Sequence, residues 1–404
     1  MTEMLTIGER VAWYRRRRGM SQEVLAGQVG RTADWLSKAE NGRIELDRLS
    51  VIKLLANALG VQLSDLLAEP SELSSILGAP HNLAALREAL TDYKQVSPLL
   101  AADTTDEKPD LKILRAAVGS AWSAYQDAKY SRATRLIPDI LTQAHRAVRM
   151  HEGNQQLQAK ALLAMAYQGA AMVLTKIGEA DLAWVAADRG LSAAQESDNM
   201  AATCSLFRSV THCLLANGRL TAAEELVTSA ASSLKVTLDN TDPAHLSVYG
   251  TLFLVGSTAA ARSEDRNTVR EFLAEADRVA QRLGRDANHM WTAFGPTNVA
   301  IHRVSTAMEL GDVQLAADQG PRVDSSALPL ERRIRHSLEI ARAFSAQNRM
   351  DEALALVLDA EELAPEQIRY HFIPRQLVTG WVRQQRGRPS YLLAGVAHRL
   401  GIVG

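Results

Sequence analysis

The sequence predicts an all-α protein in two parts, a small helical domain over residues 1–69 and a long array of stacked helical hairpins over 111–404. Three observations predict it. Residues 21–43 make two short amphipathic segments on either side of a Val-Gly turn. From 111 onward, alanine is abundant, prolines are few, and a segment rich in small residues repeatedly meets a turn residue and then a second apolar segment. Strand-type alternation is nearly absent from residue 111 to the end.

The elements follow in order. The first helix has Ile7, Val11 and Tyr14 on its apolar face and closes with Arg15-Arg16-Arg17-Arg18, cations that favour a helix C-terminus and otherwise form a solvated face. Ser21 can cap the second helix, with Glu23 near the positive end of its dipole. Leu25, Ala26 and Val29 face the core, and small Ala26 lets two helix backbones approach closely. Gly30 releases the chain into the turn, and Thr32 starts a third helix whose core face is Leu36 and Ala39.

That phase leaves Ala33, Asp34, Ser37 and Lys38 facing outward, where side chains of a recognition helix touch base edges in the major groove. Gene regulation through double-stranded DNA is therefore the leading expectation. Lys38 is the candidate reader of guanine. Asp34 either accepts a bond from a cytosine amino group or forms an i, i+4 ion pair with Lys38. Gln22, Trp35, Asn41 and Arg43 fall where phosphate or sugar contacts would position the domain, and Thr32, Arg15 and Arg16 complete the expected DNA face.

This segment resembles the Cro/repressor-type family, also called the xenobiotic-response-element family. The resemblance runs over about residues 5–68 and includes the trailing stretch from Leu49 to Leu67, which is similar to that family's fourth and fifth helices. It implies a five-helix DNA-binding domain of lambda-repressor type that reads palindromic operators as a dimer. It adds support to the roles given to Gln22, Ala33, Asp34, Ser37, Lys38 and Arg43. Ala33 and Trp35 replace polar residues that phage repressors often carry there, a departure that bears on the operator sequence.

Composition narrows the class. A content of 47% hydrophobic and 23% charged residues describes a chain able to bury a large core. No apolar run is long enough to cross a membrane and the start lacks the order of a signal peptide, so a cytoplasmic protein with no membrane partner is expected. Cys204 and Cys213 lack a histidine cluster at metal-ligand spacing, so they read as buried thiols, and no metal or cofactor is expected. A net charge of −1 gives no global attraction for nucleic acid, leaving the arginine run and recognition helix to supply positive surface.

Residues 70–110 read as a linker, marked by Pro70, Gly78, Pro80, Ser97-Pro98 and a polar stretch from Asp103 to Asp110, with one helix from Leu83 to Gln95. In the array, Gly178, Gly218, Gly311 and Asn348 are each followed five positions later by alanine, at Ala183, Ala223, Ala316 and Ala353. A small residue there lets the second helix pack on the first. Weaker copies fall at 122–133, 263–276 and 378–400. These units resemble tetratricopeptide repeats, although their markers recur at irregular intervals.

In such repeats the first helix of each pair lines a concave wall. The resemblance thus places Gln168, Arg208, His212, Arg262, Asn298, Arg335 and Arg342 at or near groove-facing positions, with the aromatics Trp122, Tyr125 and Trp381 interleaved. Amides and guanidiniums there suit a signalling peptide or a small polar molecule, or they form internal pairs. The combination resembles regulators whose repeats bind a signal and change how paired DNA-binding domains are held. Alternatively, the array is an interaction scaffold that recruits a partner protein to DNA. No phosphate-binding glycine loop, nucleophile elbow or His-Glu-x-x-His motif is present, so an enzyme is not expected.

Overall fold

One backbone geometry recurs at the hairpin turns of the computed structural model, which describes residues 6–44, 46, 48–61, 66, 83–92, 107–235, 242–385 and 389–402. Ala128, Gly178, Gly218, Glu264, Gly311 and Asn348 all take the left-handed conformation, with φ from 58 to 83°. After each of them the next amide donates to the carbonyl five residues back. Lys129 reaches Ala124 at 2.8 Å, Glu179 Leu174 at 2.9 Å, Arg219 Leu214 at 2.8 Å, Asp265 Ala260 at 2.9 Å, Asp312 Ala307 at 2.8 Å and Arg349 Phe344 at 2.9 Å. These bonds satisfy carbonyls orphaned at the helix end. Four residues on, Ala133, Ala183, Ala223, Val269, Ala316 and Ala353 are all buried where the second helix crosses the first. Ala128 and Glu264 adopt this φ despite their Cβ, which is why the copies around them are weak in sequence.

The N-terminal domain holds α1 (Ile7–Arg17), α2 (Gln22–Gln28), α3 (Ala33–Glu40) and α4 (Leu49–Leu59). Thr6 and Glu9 form a reciprocal capping box on α1, Ser21 accepts the Val24 amide and Thr32 accepts the Trp35 amide. A Cβ at Gly8 would lie 2.1 Å from the Ala39 carbonyl oxygen, so α1 and α3 touch backbone to backbone. Val11, Leu25, Leu36, Ile52, Leu55 and Leu59 fill the core. The expected fifth helix lies outside the described residues apart from Leu66, which is helical and buried.

The helix expected between the two parts is α5 (Leu83–Thr91), and residues 93–95 of that expectation lie outside the described residues. Its Leu86 and Leu90 are buried in the core of the array. The hairpins then run α6 (Leu111–Gln126) with α7 (Tyr130–Met150), α8 (Gly153–Ile177) with α9 (Ala180–Gln195), and α10 (Met200–Ala216) with α11 (Leu220–Lys235). Next come α12 (Pro243–Arg262) with α13 (Arg266–Leu283), α14 (Pro296–Leu310) with α15 (Val313–Gln319), and α16 (Leu330–Ala346) with α17 (Met350–Leu363). The short α18 (Pro365–Tyr370) leads to α19 (Phe372–Gln384) and α20 (Tyr391–Arg399). The described residues contain no strand, only one isolated bridge between Ala287 and Phe294. The fold is all-helical, a helix-turn-helix domain followed by a helical solenoid.

The array curls until its early hairpins meet its late ones. Trp122 of α6 stacks on Trp291 at 5.2 Å, Gln126 exchanges amide bonds with Asn288 at 3.0 and 2.8 Å, and the Ser131 amide donates to Glu366 at 2.7 Å. Lys176 of α8 pairs with Glu331 of α16, and Gln367 donates to the Glu331 carbonyl at 3.0 Å. The concave wall thus faces inward between the early and late hairpins, and this buried inner side is the lumen. No helix among the described residues is long and apolar enough to cross a membrane.

The N-terminal domain rests on the rim of this ring. Arg383 of α19 pairs with Glu9 at 3.0 Å and donates to Thr6 Oγ1 at 3.2 Å, and Gln376 donates to the Leu46 carbonyl at 2.5 Å. Burial would raise the Glu9 carboxyl, but the Thr6 amide and Arg383 hold it below its ordinary value. Arg31 lies 3.9 Å from Glu264 on the α12–α13 turn.

Candidate nucleic-acid interface and the lumen of the array

The recognition helix is α3. Leu36 and Ala39 point into the domain, while Asp34 and Lys38 are exposed and Ala33 and Ser37 half-buried at its edge. Lys38 Nζ lies 2.7 Å from Asp34 Oδ2, the i, i+4 ion pair. An exposed pair of this kind contributes little and breaks readily when a base edge offers better partners. Thr32 is tied to the helix start through its hydroxyl, and Asn41 folds back to donate to the Ser37 carbonyl at 2.7 Å. Trp35 is half-buried beneath the Arg31 guanidinium, 5.6 Å from the ring centroid. Arg16 and Arg43 are exposed.

Arg15 and Gln22 are placed differently from the expected phosphate contacts. Arg15 is buried, and its Nε and Nη2 donate to Glu40 at 2.5 and 2.8 Å while Nη1 donates to the Met20 carbonyl at 2.8 Å. The hydrogen bond to Glu40 raises the Arg15 guanidinium above its ordinary value, so Arg15 stays a cation despite its burial. Gln22 Nε2 donates to the same carboxylate at 2.7 Å. The physical reason is helical phase: Arg15 stands one turn beyond Val11, and Glu40 one turn beyond Leu36, so both lie on core faces and satisfy each other. Of the other arginines in the run, Arg17 covers Trp13 at 5.0 Å and Arg18 donates to the Gly60 carbonyl at 2.9 Å.

The residues expected in the groove divide into two groups. Gln168 and Asn298 are fully buried: Gln168 donates to the Ser205 carbonyl at 2.6 Å and to Ser209 Oγ at 3.0 Å, and Asn298 donates to the Ala293 carbonyl at 2.9 Å while its Oδ1 has no partner among the described residues. They tie neighbouring segments together inside the wall. Arg208, His212, Arg262, Arg335 and Arg342 do come together at the lumen. Arg335 and Arg342 reach Glu339 at 3.1 and 3.2 Å, and Glu309 lies 3.6 Å from Arg342 and 3.8 Å from Arg262.

Sequence reasoning missed Lys176, His302, Glu309, Glu331, Arg332 and Glu339. The available signal was spacing: Glu331, Arg335, Glu339 and Arg342 follow one another at helical intervals and share a stripe of α16. Burial would raise the Glu331 carboxyl, but Lys176 and Arg332 hold it down to about 2. Burial and nearby cations keep His212 well below its ordinary value and His302 at about 3, with His302 Nδ1 donating to the Asn298 carbonyl. Burial, then Arg332, lowers Arg208 to about 10, which leaves it a cation at neutral pH. Cys204 and Cys213 are buried thiols of α10, pushed up by burial to about 12 and about 11. Among the described residues no group of three His, Cys, Asp or Glu side chains could hold a metal.

Residues 6–69 match the family described as "Helix-turn-helix domain". That match covers the four N-terminal helices and the segment after them. No curated protein matches the chain in sequence. A solved structure of a Rap protein complexed with competence and sporulation factor is similar at 14% identity over 90% of this chain and 100% of that one, with a TM-score of 0.48.

Proposed function

We propose that this protein is a transcriptional regulator of Cro/repressor type that binds a palindromic duplex as a homodimer in the cytoplasm, with residues 1–69 reading DNA and 111–404 forming a tetratricopeptide-like sensing array. The observation that carries the reading is α3, a capped helix packed by Leu36 and Ala39 that presents Asp34 and Lys38 to solvent within a matched helix-turn-helix domain. Lys38 reads a base edge once it leaves Asp34, and Arg16 and Arg43 hold phosphates. Two copies are needed because one short helix reads too few base pairs for useful specificity.

The array regulates by favouring one placement of the DNA-binding domain over another, which a signal can do only through different affinity for the two placements. Helix α19 supports this role: Gln376 and Arg383 hold the N-terminal domain, while the capping residue His371 is within electrostatic reach of Arg335, Lys176 and Glu331 in the lumen. A second reading, the scaffold that recruits a partner protein, is favoured by the exposed Tyr391 and Leu392 on α20. Genome-wide mapping of bound DNA tests the regulator. A recurring inverted repeat at the bound sites is the expected result, and occupancy without any shared sequence would refute it.

A further inference from the structure

We infer that the lumen of the array binds a compact, doubly charged oxyanion, a phosphate group held between Arg208 of α10 and Arg332 of α16. Arg208 is 2% exposed, and its Nε and Nη2 atoms have no hydrogen-bond partner among the described residues. Withdrawing a guanidinium from water without a partner is strongly unfavourable, so such a group persists where something else is gained from it. Its charged neighbours do not compensate it. Glu331 already accepts from Lys176 and also faces Arg332 at 3.9 Å, so one carboxylate serves several cations.

Further round the wall, Arg262 lies 3.8 Å from Glu309, and Arg335 lies 3.1 Å from Glu339. Burial, then Arg208, Lys176 and Arg332, keeps His212 neutral, and burial, then Arg332, keeps His302 neutral. Among the described residues, the cations Arg208, Arg332 and Lys176 therefore gather around one carboxylate, Glu331. Two guanidinium forks on different helices suit a tetrahedral oxyanion, which offers oxygens in several directions. Arg332 is 19% exposed at its side chain and Arg208 2%, so an anion enters past Arg332 and Arg208 forms the inner end of the site.

This inference rests on the array being a sensing domain, yet its test uses no DNA, so failure of anion binding and failure of DNA binding are separate results. The full-length protein is unfolded thermally near neutral pH at constant ionic strength, with inorganic phosphate, phenyl phosphate or chloride titrated in. Phosphate should raise the midpoint saturably, by roughly 2–4 °C at tenfold excess over half-saturation. The rise should disappear in Arg208→Met and in the less buried Arg332→Gln, and persist in the double variant Arg16→Ala/Lys38→Ala. Without phosphate, Arg208→Met should unfold at a higher temperature than the wild type, because the unpaired cation is gone. A response to phenyl phosphate too assigns the site to phosphate groups in general, and a response to inorganic phosphate alone assigns it to the free ion. An equal rise with chloride, an undiminished phosphate response in both arginine variants, or an Arg208→Met protein less stable than the wild type would overturn the inference.

Discussion

Replacing Arg15 with alanine separates a structural arginine from a DNA-binding one. Arg15 and Glu40 form a two-point pair at 2.5 and 2.8 Å with side chains only 11% and 3% exposed. Removing the guanidinium leaves Glu40 buried with Gln22 as its remaining side-chain donor and frees the Met20 carbonyl. Breaking one partner of a buried pair costs about 3–5 kcal/mol, and the amide of Gln22 offsets part of that, so we expect about 3 kcal/mol. The loss should be confined to the N-terminal domain. Hydrogen exchange followed by mass spectrometry reads it directly: amides of α1–α3 should exchange roughly a hundredfold faster in Arg15→Ala, since each 1.4 kcal/mol is tenfold, while amides of α8 and α12 stay unchanged. DNA binding would fall because the domain opens. Wild-type protection in α1–α3, together with weakened DNA binding, would refute the structural role and return Arg15 to the phosphate-contacting set.

Three further outcomes are expected. Lys38→Ala should cost about 1–3 kcal/mol of binding and relax preference at one position in each half-site, whereas Arg16→Ala should weaken all duplexes alike and flatten the salt dependence, both read by titration across several salt concentrations. Stability should fall on acidification: His145, at about 4, and His302, at about 3, are neutral when folded but protonate near 6.5 when unfolded. The unfolded chain thus binds more protons below 6.5, and each histidine removes about 1.4 kcal/mol per pH unit from there down to its folded value, measurable by urea unfolding between neutral and mildly acidic pH. Finally, Glu264→Gly should stabilise the array by about 0.5–1 kcal/mol in the same assay, because the position holds φ 60° against its Cβ. Destabilisation there would show that the Arg31 contact outweighs backbone strain.

Local rules carried the sequence reading far. The left-handed turn followed by a small residue marks Gly178, Gly218, Gly311 and Asn348 because both requirements are steric and leave a trace in residue type. The same geometry at Ala128 and Glu264 leaves almost none, since the strain is borne by residues that do not advertise it. The outward face of α3 was legible from the phase of Leu36 and Ala39. Arg15 was obscured by its neighbours: in a run of four arginines only the phase set by Val11 separates the inward one. The lumen was least legible, because Lys176 and Glu331 stand 155 residues apart and meet only when the array closes. For Gln168 and Asn298, residue type could not distinguish a ligand contact from a bond holding two wall segments together.

The most direct test of sequence reading by α3 is the affinity of the full-length protein for a duplex selected from a random pool, compared with a scrambled duplex of the same composition at moderate salt. The account predicts selection of an inverted repeat, bound at least a thousandfold more tightly than the scrambled duplex (roughly 10³ or more), with the preference at one base pair of each half-site lost in Lys38→Ala. Equal affinity for the two duplexes, or an unchanged selected sequence in Lys38→Ala, would contradict it.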